Sequence, residues 1–274
     1  MLGSTQDGDL RSIQLASLEG LKELKRMCDK HDLKYYLVAG TLLGAVRHHG
    51  FIPWDDDVDV AMPRADYDRL AKIARKELGD GFFYQTDRTD KHSPFAFAKL
   101  RREGTDVREH LLSQVDMHNG CYVDIFPLDY CPSNEKRARC FFKLTTLFNS
   151  AMLAKVSDDF VCGYEKKIAR IAFSIAVKLP RWALIFLRNA VRIYYTATSK
   201  KSIICTVSGS YGYPRESYIA EWFSESVELE FEGDRFTAPK EYDKALTHMY
   251  GDYMTPPPDD ERRGHFTSYK NDQL

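Results

Sequence analysis

Long apolar runs are missing from this chain. Its most apolar stretches, IAFSIAV and WALIFL, fall far short of the roughly 20 residues that span a bilayer. The opening MLGSTQDGDLRS is polar, with no apolar segment behind a basic start, so no secretory signal is expected. An excess of one charge is also missing: 39 Lys and Arg stand against 40 Asp and Glu, a formal net charge of -1. That balance argues against nucleic acid as a general partner, since such binders usually carry a large positive excess. Cysteine is sparse. The six residues, at 28, 121, 131, 140, 162 and 205, show neither C-x-x-C spacing nor the density of a disulfide scaffold. They read as reduced thiols of a cytoplasmic protein, with Cys131 and Cys140 structural rather than metal-binding. Neither internal repeats nor low-complexity segments are present, which excludes solenoid and disordered architectures.

What is present is 274 residues with ordinary apolar content, enough to bury a substantial core. Leu10, Ile13, Leu21, Leu24 and Met27 fall near one stripe, predicting an amphipathic helix over 10–28. LKYYLVAG reads as a buried strand stopped by Gly40, TLLGAVRHHG as a helix, and FIPWDDDVDVAMP as a strand ended by Pro63. RADYDRLAKIARKEL is a further helix, and FAFAKLRR and CYVDIFPLD alternate as strands do. From about 135 to 200 the chain turns helical, basic and apolar. A hairpin over VELEFEGDRFTAP, a helix over KEYDKALTHMYG and a Pro-rich tail follow. The expected fold is α/β (α+β), a mixed sheet flanked by helices. Three parts are expected: a core at 1–134, a helical insertion at 135–201, and a segment at 202–274 that completes the catalytic domain.

The chemistry concentrates in WDDDVDV. Asp55, Asp56, Asp57 and Asp59 repel one another, so the cluster needs something cationic among them. Residues two apart on a strand share a face. Asp57 and Asp59 therefore lie side by side, with Asp55 in line behind them, while Val58 and Val60 face the core. Two such carboxylates suit Mg²⁺, which takes oxygen ligands and usually one or two carboxylates plus substrate phosphates; Mn²⁺ has similar demands. In CYVDIFPLD the same alternation puts Tyr122, Asp124 and Phe126 on one face. Burying Asp124 in so apolar a strand is costly unless it is paired, and completing the metal site supplies that pairing. Upstream, Gly40 permits a tight turn and close approach to a ligand. The Thr41 hydroxyl and the first amides of the next helix then hold a phosphate at the positive end of the helix dipole.

In AGTLLGAVRHHGFIPWDDDVDVAMPRADYDRL the chain resembles the LicD family, whose relatives include fukutin and fukutin-related protein. HNGCYVDIFPLD is similar to that family's third-carboxylate strand, and YGDYMTPPPDDERRGHF to its C-terminal motif. The resemblance is strong over about 15–130, good over 230–266 and weak between. It implies a nucleotidyltransferase-like core. It also implies transfer of a phospho-alcohol, typically phosphocholine, from a CDP-alcohol donor (CDP-choline favoured) to a glycan hydroxyl, as in teichoic acid or lipopolysaccharide. Asp57 and Asp59 would then hold Mg²⁺ against the donor diphosphate. Asp124 would be either a further ligand or the base that takes the acceptor's proton.

Lys99 and Arg101 share a face with Phe95 and Phe97, and Lys99 is expected on the diphosphate. Arg47 either reaches a phosphate or complements its own helix's C-terminus. Tyr250, Asp252 and Tyr253 are expected to close over the nucleotide, with Arg262, Arg263 and His265 near its phosphates. YEKKIARIAFSIAVKLPRWALIFLRNAVRIYY has the composition of a helical pair in a membrane interface. Contact through 165–195 would place the protein on the inner face of the cell membrane, near a lipid-linked glycan acceptor. Two rivals stand beside this reading. One is a nucleotidyltransferase moving NMP from an NTP to a small molecule, and the other a catalytically silent, membrane-associated glycan binder.

Overall fold

The computed structural model describes residues 3–160, 163–262 and 266–271. Helix α1 (Gly3–His31) is followed by a short strand β1 (Tyr36–Leu37) and helix α2 (Ala39–His48). Strand β2 (Asp59–Pro63), helix α3 (Arg64–Glu77), and strands β3 (Phe82–Gln85), β4 (Ala98–Arg102), β5 (Thr105–Glu109) and β6 (Tyr122–Tyr130) complete the first half. Helices α4 (Glu135–Leu153), α5 (Lys167–Lys178) and α6 (Arg181–Ala197) come next. The remainder comprises strands β7 (Ile203–Cys205), β8 (Ser217–Ile219), β9 (Ser226–Phe231) and β10 (Asp234–Pro239), helix α7 (Tyr242–Tyr250) and strand β11 (Phe266–Asn271).

The mixed α/β class expected from the sequence is the class observed. The main sheet runs β1-β2-β6-β4-β3, and β7 and β8 extend it from the far end of β6. Pairing is antiparallel throughout this sheet except between β2 and β6, which run parallel. The long strand β6 is central because its inner residues Val123 and Ile125 are fully buried. Leu21, Leu24 and Met27 of α1 are buried in the same core. Each such side chain contributes roughly 2 kcal/mol of burial. Gly20 brings α1 close to the sheet, since a Cβ there would stand 3.1 Å from Val123 Cγ2.

Two expected strands are shorter than the sequence suggests. The strand predicted over 51–63 becomes regular only at Asp59, because residues 52–55 turn, with Asp55 N–H donating to Ile52 O at 2.9 Å. The strand before Gly40 keeps two paired residues, and helix α2 starts at Ala39, whose φ is +46°. Ala39, not Gly40, therefore takes the left-handed turn. The predicted hairpin is present as β9 and β10, turning through Glu232 and Gly233, both with positive φ.

Helices α4, α5 and α6 share a small core that includes Met152, Ala176 and Leu184. Arg181 and Arg188 fasten α6 to the segment that precedes β4. Arg181 donates to Asp87 O at 2.8 Å and Ser93 O at 3.1 Å, and Arg188 pairs with the Asp87 carboxylate at 2.7 Å. The outer faces of α5 and α6 stay uncovered: Ile168, Trp182 and Phe186 are 82%, 72% and 65% exposed. None of the described helices is long and apolar enough to cross a membrane.

Candidate active site

Strand register assembles the site. Asp59 on β2 stands opposite Asp124 on β6, and Asp124 stands opposite Lys99 on β4. Adjacent strands lie about 4.8 Å apart, so two carboxylates and an ammonium form one transverse row. The row floors a cavity of about 770 Å³. Among the described residues, seven carboxyl groups line it (Asp55, Asp57, Asp59, Glu109, Asp124, Glu216 and Asp252) against two cations, Arg47 and Lys99. Asp57, in the extended approach to β2, lines the cavity with Asp59, as period-two spacing predicts; Asp56 is buried, and Val58 and Val60 lie in the core.

Lys99 is 2% exposed, so it is no solvated strand edge. Its Nζ lies 2.9 Å from Asp124 Oδ1, 3.2 Å from Asp124 Oδ2 and 3.3 Å from Glu109 Oε1. Phe95, Phe97 and Tyr122 surround the ammonium, the Tyr122 ring centroid at 3.5 Å. Arg101 is buried behind it, donating to Gln85 Oε1 and Gly120 O, both at 2.9 Å. Arg101 thus supports the site from beneath.

Burial pushes Asp124 up to about 7; Lys99 opposes that shift, while Glu109 and Asp57 reinforce it. Asp59 rises well above the usual carboxylate range through burial, then through repulsion from Asp57, Asp124 and Asp55. Burial also acts on Glu109, but Lys99 and Arg101 outweigh it and hold that carboxyl below the usual range. The row is therefore short of positive charge.

Helix α2 opens on the cavity through Val38, Ala39 and Gly40. Gly40 matters here by its missing side chain, since a Cβ would lie 2.6 Å from Asp55 Oδ2. Thr41 is buried, and its hydroxyl accepts the Asp59 N–H at 2.7 Å, so it braces the acidic strand from below instead of lining the cavity. Arg47 lines the cavity and donates to Tyr253 O at 2.6 Å, tying α2 to the tail. Tyr250, Asp252 and Tyr253 also line it. Arg262 lies over the Trp54 ring, 4.8 Å from its centroid; Arg263 and His265 lie outside the described residues.

Two acidic residues were not singled out in the sequence. Glu109 arrives on β5 from a different sheet, and no local pattern marks it. Glu216 sits just before β8 and is 3% exposed. Its Oε1 accepts the Tyr211 N–H at 2.9 Å, and the backbone of Gly209 packs against the carboxylate. Burial pushes Glu216 up to about 7 against these amide contacts. The only sequence signal is the Gly- and Ser-rich VSGSYGY that wraps it.

Three carboxylates facing one cavity do not make a closed metal cage. Among the described residues, no three His, Cys, Asp or Glu side chains converge tightly enough to hold an ion. Asp124 is drawn onto Lys99 instead. Asp57 and Asp59 still fit a hard cation, because Mg²⁺ often takes only two protein carboxylates and completes its shell with water and phosphate.

Residues 32–161 match the family described as LicD/FKTN/FKRP, nucleotidyltransferase domain. Over 278 aligned residues the chain is 27% identical to the lipopolysaccharide cholinephosphotransferase LicD of Haemophilus influenzae, covering 93% of this chain and 95% of that protein. A stretch of 53 residues is 43% identical to an uncharacterized protein of Rickettsia prowazekii, covering 19% of this chain and 20% of the relative. Another of 61 residues is 46% identical to an uncharacterized protein of Rickettsia typhi, covering 22% and 20%. The family match contains Asp57, Asp59, Lys99 and Asp124, the residues that floor the cavity, so the part of the chain that builds the site is similar to the LicD family.

Proposed function

We propose that this chain is a metal-dependent transferase that moves a phospho-alcohol, most specifically phosphocholine, from a CDP-alcohol to a glycan hydroxyl, releasing CMP. Lipopolysaccharide or teichoic acid is the acceptor class. The observation that carries the reading is the Asp59, Asp124, Lys99 row in the floor of a carboxylate-lined cavity, within the matched family region. The end-to-end similarity to a lipopolysaccharide cholinephosphotransferase supports the choice of alcohol.

Asp57 and Asp59 would hold Mg²⁺ or Mn²⁺, which supplies charge neutralisation at the donor diphosphate. Asp124, next to that pair and steadied by Lys99, receives the proton of the acceptor hydroxyl. Lys99 offsets charge on the departing CMP. The open N-terminus of α2, with Gly40, cradles phosphate oxygens, and Thr41 keeps the acidic strand in register with it. Arg47 and Asp252 form the nucleotide side of the cavity, while Tyr250, whose ring meets Tyr211 edge to face, faces the alcohol.

The exposed apolar residues of α5 and α6, flanked by Lys166, Lys167 and Arg170, support peripheral contact with an anionic membrane, on its cytoplasmic side. Such contact brings the site to a lipid-linked acceptor.

The test is CMP release from a panel of CDP-alcohols with and without Mg²⁺, in the presence of glycan acceptor. Mg²⁺-dependent CMP from CDP-choline is expected. Pyrophosphate from an NTP, with no CMP from any CDP-alcohol, would establish nucleotidyl transfer instead.

A further inference from the structure

We propose that Glu216 is a specificity-determining residue that receives a cationic alcohol headgroup of the donor, at the end of the cavity walled by Tyr211, Tyr218 and Tyr250. This assignment rests on the CDP-alcohol reading and deepens it by naming a residue that selects the alcohol.

Glu216 is unusual among the buried carboxylates of the cavity wall. Asp124 and Glu109 have Lys99 beside them. Glu216 meets only the main-chain amides of Gly209, Tyr211 and Gly212; no ion pair with it forms among the described residues, and its buried Oε2 has no hydrogen-bond partner there. An ionised carboxylate kept from water without a counter-charge is expensive. The raised proton affinity of this group reflects that expense. A ligand cation would remove it.

The carboxylate is also held still. The Tyr211 N–H fixes Oε1, while the main chain of Glu216 pairs with Gly212 O at 3.0 Å and Thr206 N at 3.1 Å. A preorganised charge recognises a ligand without an ordering penalty at binding.

Its neighbours suit an alkylammonium. Aromatic faces attract quaternary ammonium groups through their quadrupoles. Lys99 already covers the Phe95, Phe97 and Tyr122 rings, Arg262 covers Trp54, and Arg215 lies 5.8 Å from the centroid of Tyr211. Among the described residues no cation covers Tyr218 or Tyr250, both of which line the cavity. Tyr250 meets Tyr211 edge to face, with centroids 5.6 Å apart. A metal at Asp57 and Asp59 would neutralise that pair, where the diphosphate lies, and still leave Glu216 without a counter-charge among the described residues.

The experiment compares CDP-choline with its neutral isostere, in which carbon replaces the quaternary nitrogen. The ratio of kcat/KM for the two donors is measured on one preparation, so the active fraction cancels. The wild-type protein is expected to prefer CDP-choline by about tenfold or more, and Glu216→Gln to lose about tenfold of that preference. Glu216→Asp, which keeps the charge, should retain part of it. A ratio near one in the wild type, or a ratio unchanged in Glu216→Gln, overturns the assignment while leaving the CDP-alcohol reading intact. Absence of CMP from both donors in the folded wild-type protein overturns that reading and this one together.

Discussion

Asp59 and Asp124 face each other across the one parallel strand pair among the described strands of the main sheet. Two buried carboxylates in that position repel, and Lys99 on the third strand offsets only part of the repulsion. The chain sacrifices stability there to hold charge, as the proposed cation and donor diphosphate would require.

Asp57→Ala and Asp59→Ala should each lower CMP release by at least a thousandfold, a loss typical of an essential electrostatic group. Neither should lower the melting temperature in chelator, because deleting a carboxylate relieves repulsion. Near-native turnover in either variant would remove that residue from the metal site.

Lys99→Met removes the counter-ion shared by Asp124 and Glu109. Breaking a buried pair from one side costs about 3 kcal/mol, and chemical denaturation should register a loss of that size. Adding Asp124→Asn should return much of it. If the double variant is no more stable than the single one, Lys99 and Asp124 are not energetically coupled.

Gly40→Ala should lower turnover, since its Cβ would press on Asp55 Oδ2 from 2.6 Å. Overpacking of this kind costs roughly 1–3 kcal/mol. Wild-type kinetics and melting in this variant would show that Asp55 swings aside freely.

Glu216 makes stability depend on pH. Its folded proton affinity lies above the unfolded value of 4.5, at about 7. The folded state therefore binds more protons in that window. This group's favourable contribution is complete below about 4.5 and disappears as pH rises through about 7. Relative to the wild type, Glu216→Gln should gain up to roughly 3 kcal/mol on going from pH 4 to pH 8. Urea unfolding at both pH values measures it, and parallel behaviour of the two proteins would contradict the shift.

The exposed face of α5 and α6 yields a separate expectation. Replacing Ile175, Trp182 and Phe186 with Asp should abolish co-sedimentation with anionic vesicles, and neutralising Lys166, Lys167 and Arg170 should weaken it. Turnover on a short, soluble acceptor should survive the first set of changes. Undiminished vesicle binding would exclude this face as the contact.

The acidic row was legible because a strand's period of two is a strong rule: it placed Asp57 with Asp59, and Asp124 with Tyr122 and Phe126, on the cavity side. Lys99 followed from the same rule on β4, although its depth of burial did not. Register across strands lay beyond such local reasoning, so the pairing of Asp59 with Asp124 became visible only in the folded sheet. Glu109 escaped because it comes from a strand outside that sheet. Glu216 escaped because a single acid in a Ser- and Gly-rich loop usually means a solvated turn. The positive φ at Ala39 was hidden for a different reason: alanine seldom adopts it, and the neighbouring Gly40 offered a more natural place for the turn.

Arg181 and Arg188 join α6 to the stretch between Asp87 and Ser93, only a few residues before Phe95 and Phe97 in the cavity wall. A bilayer that received the outer side of α6 would thereby fix the orientation of the cavity mouth as well. Encounter with a lipid-borne acceptor then becomes a search in two dimensions. Its rate would follow the number of acceptors per unit area, and diluting them with inert lipid would slow turnover even at constant bulk concentration.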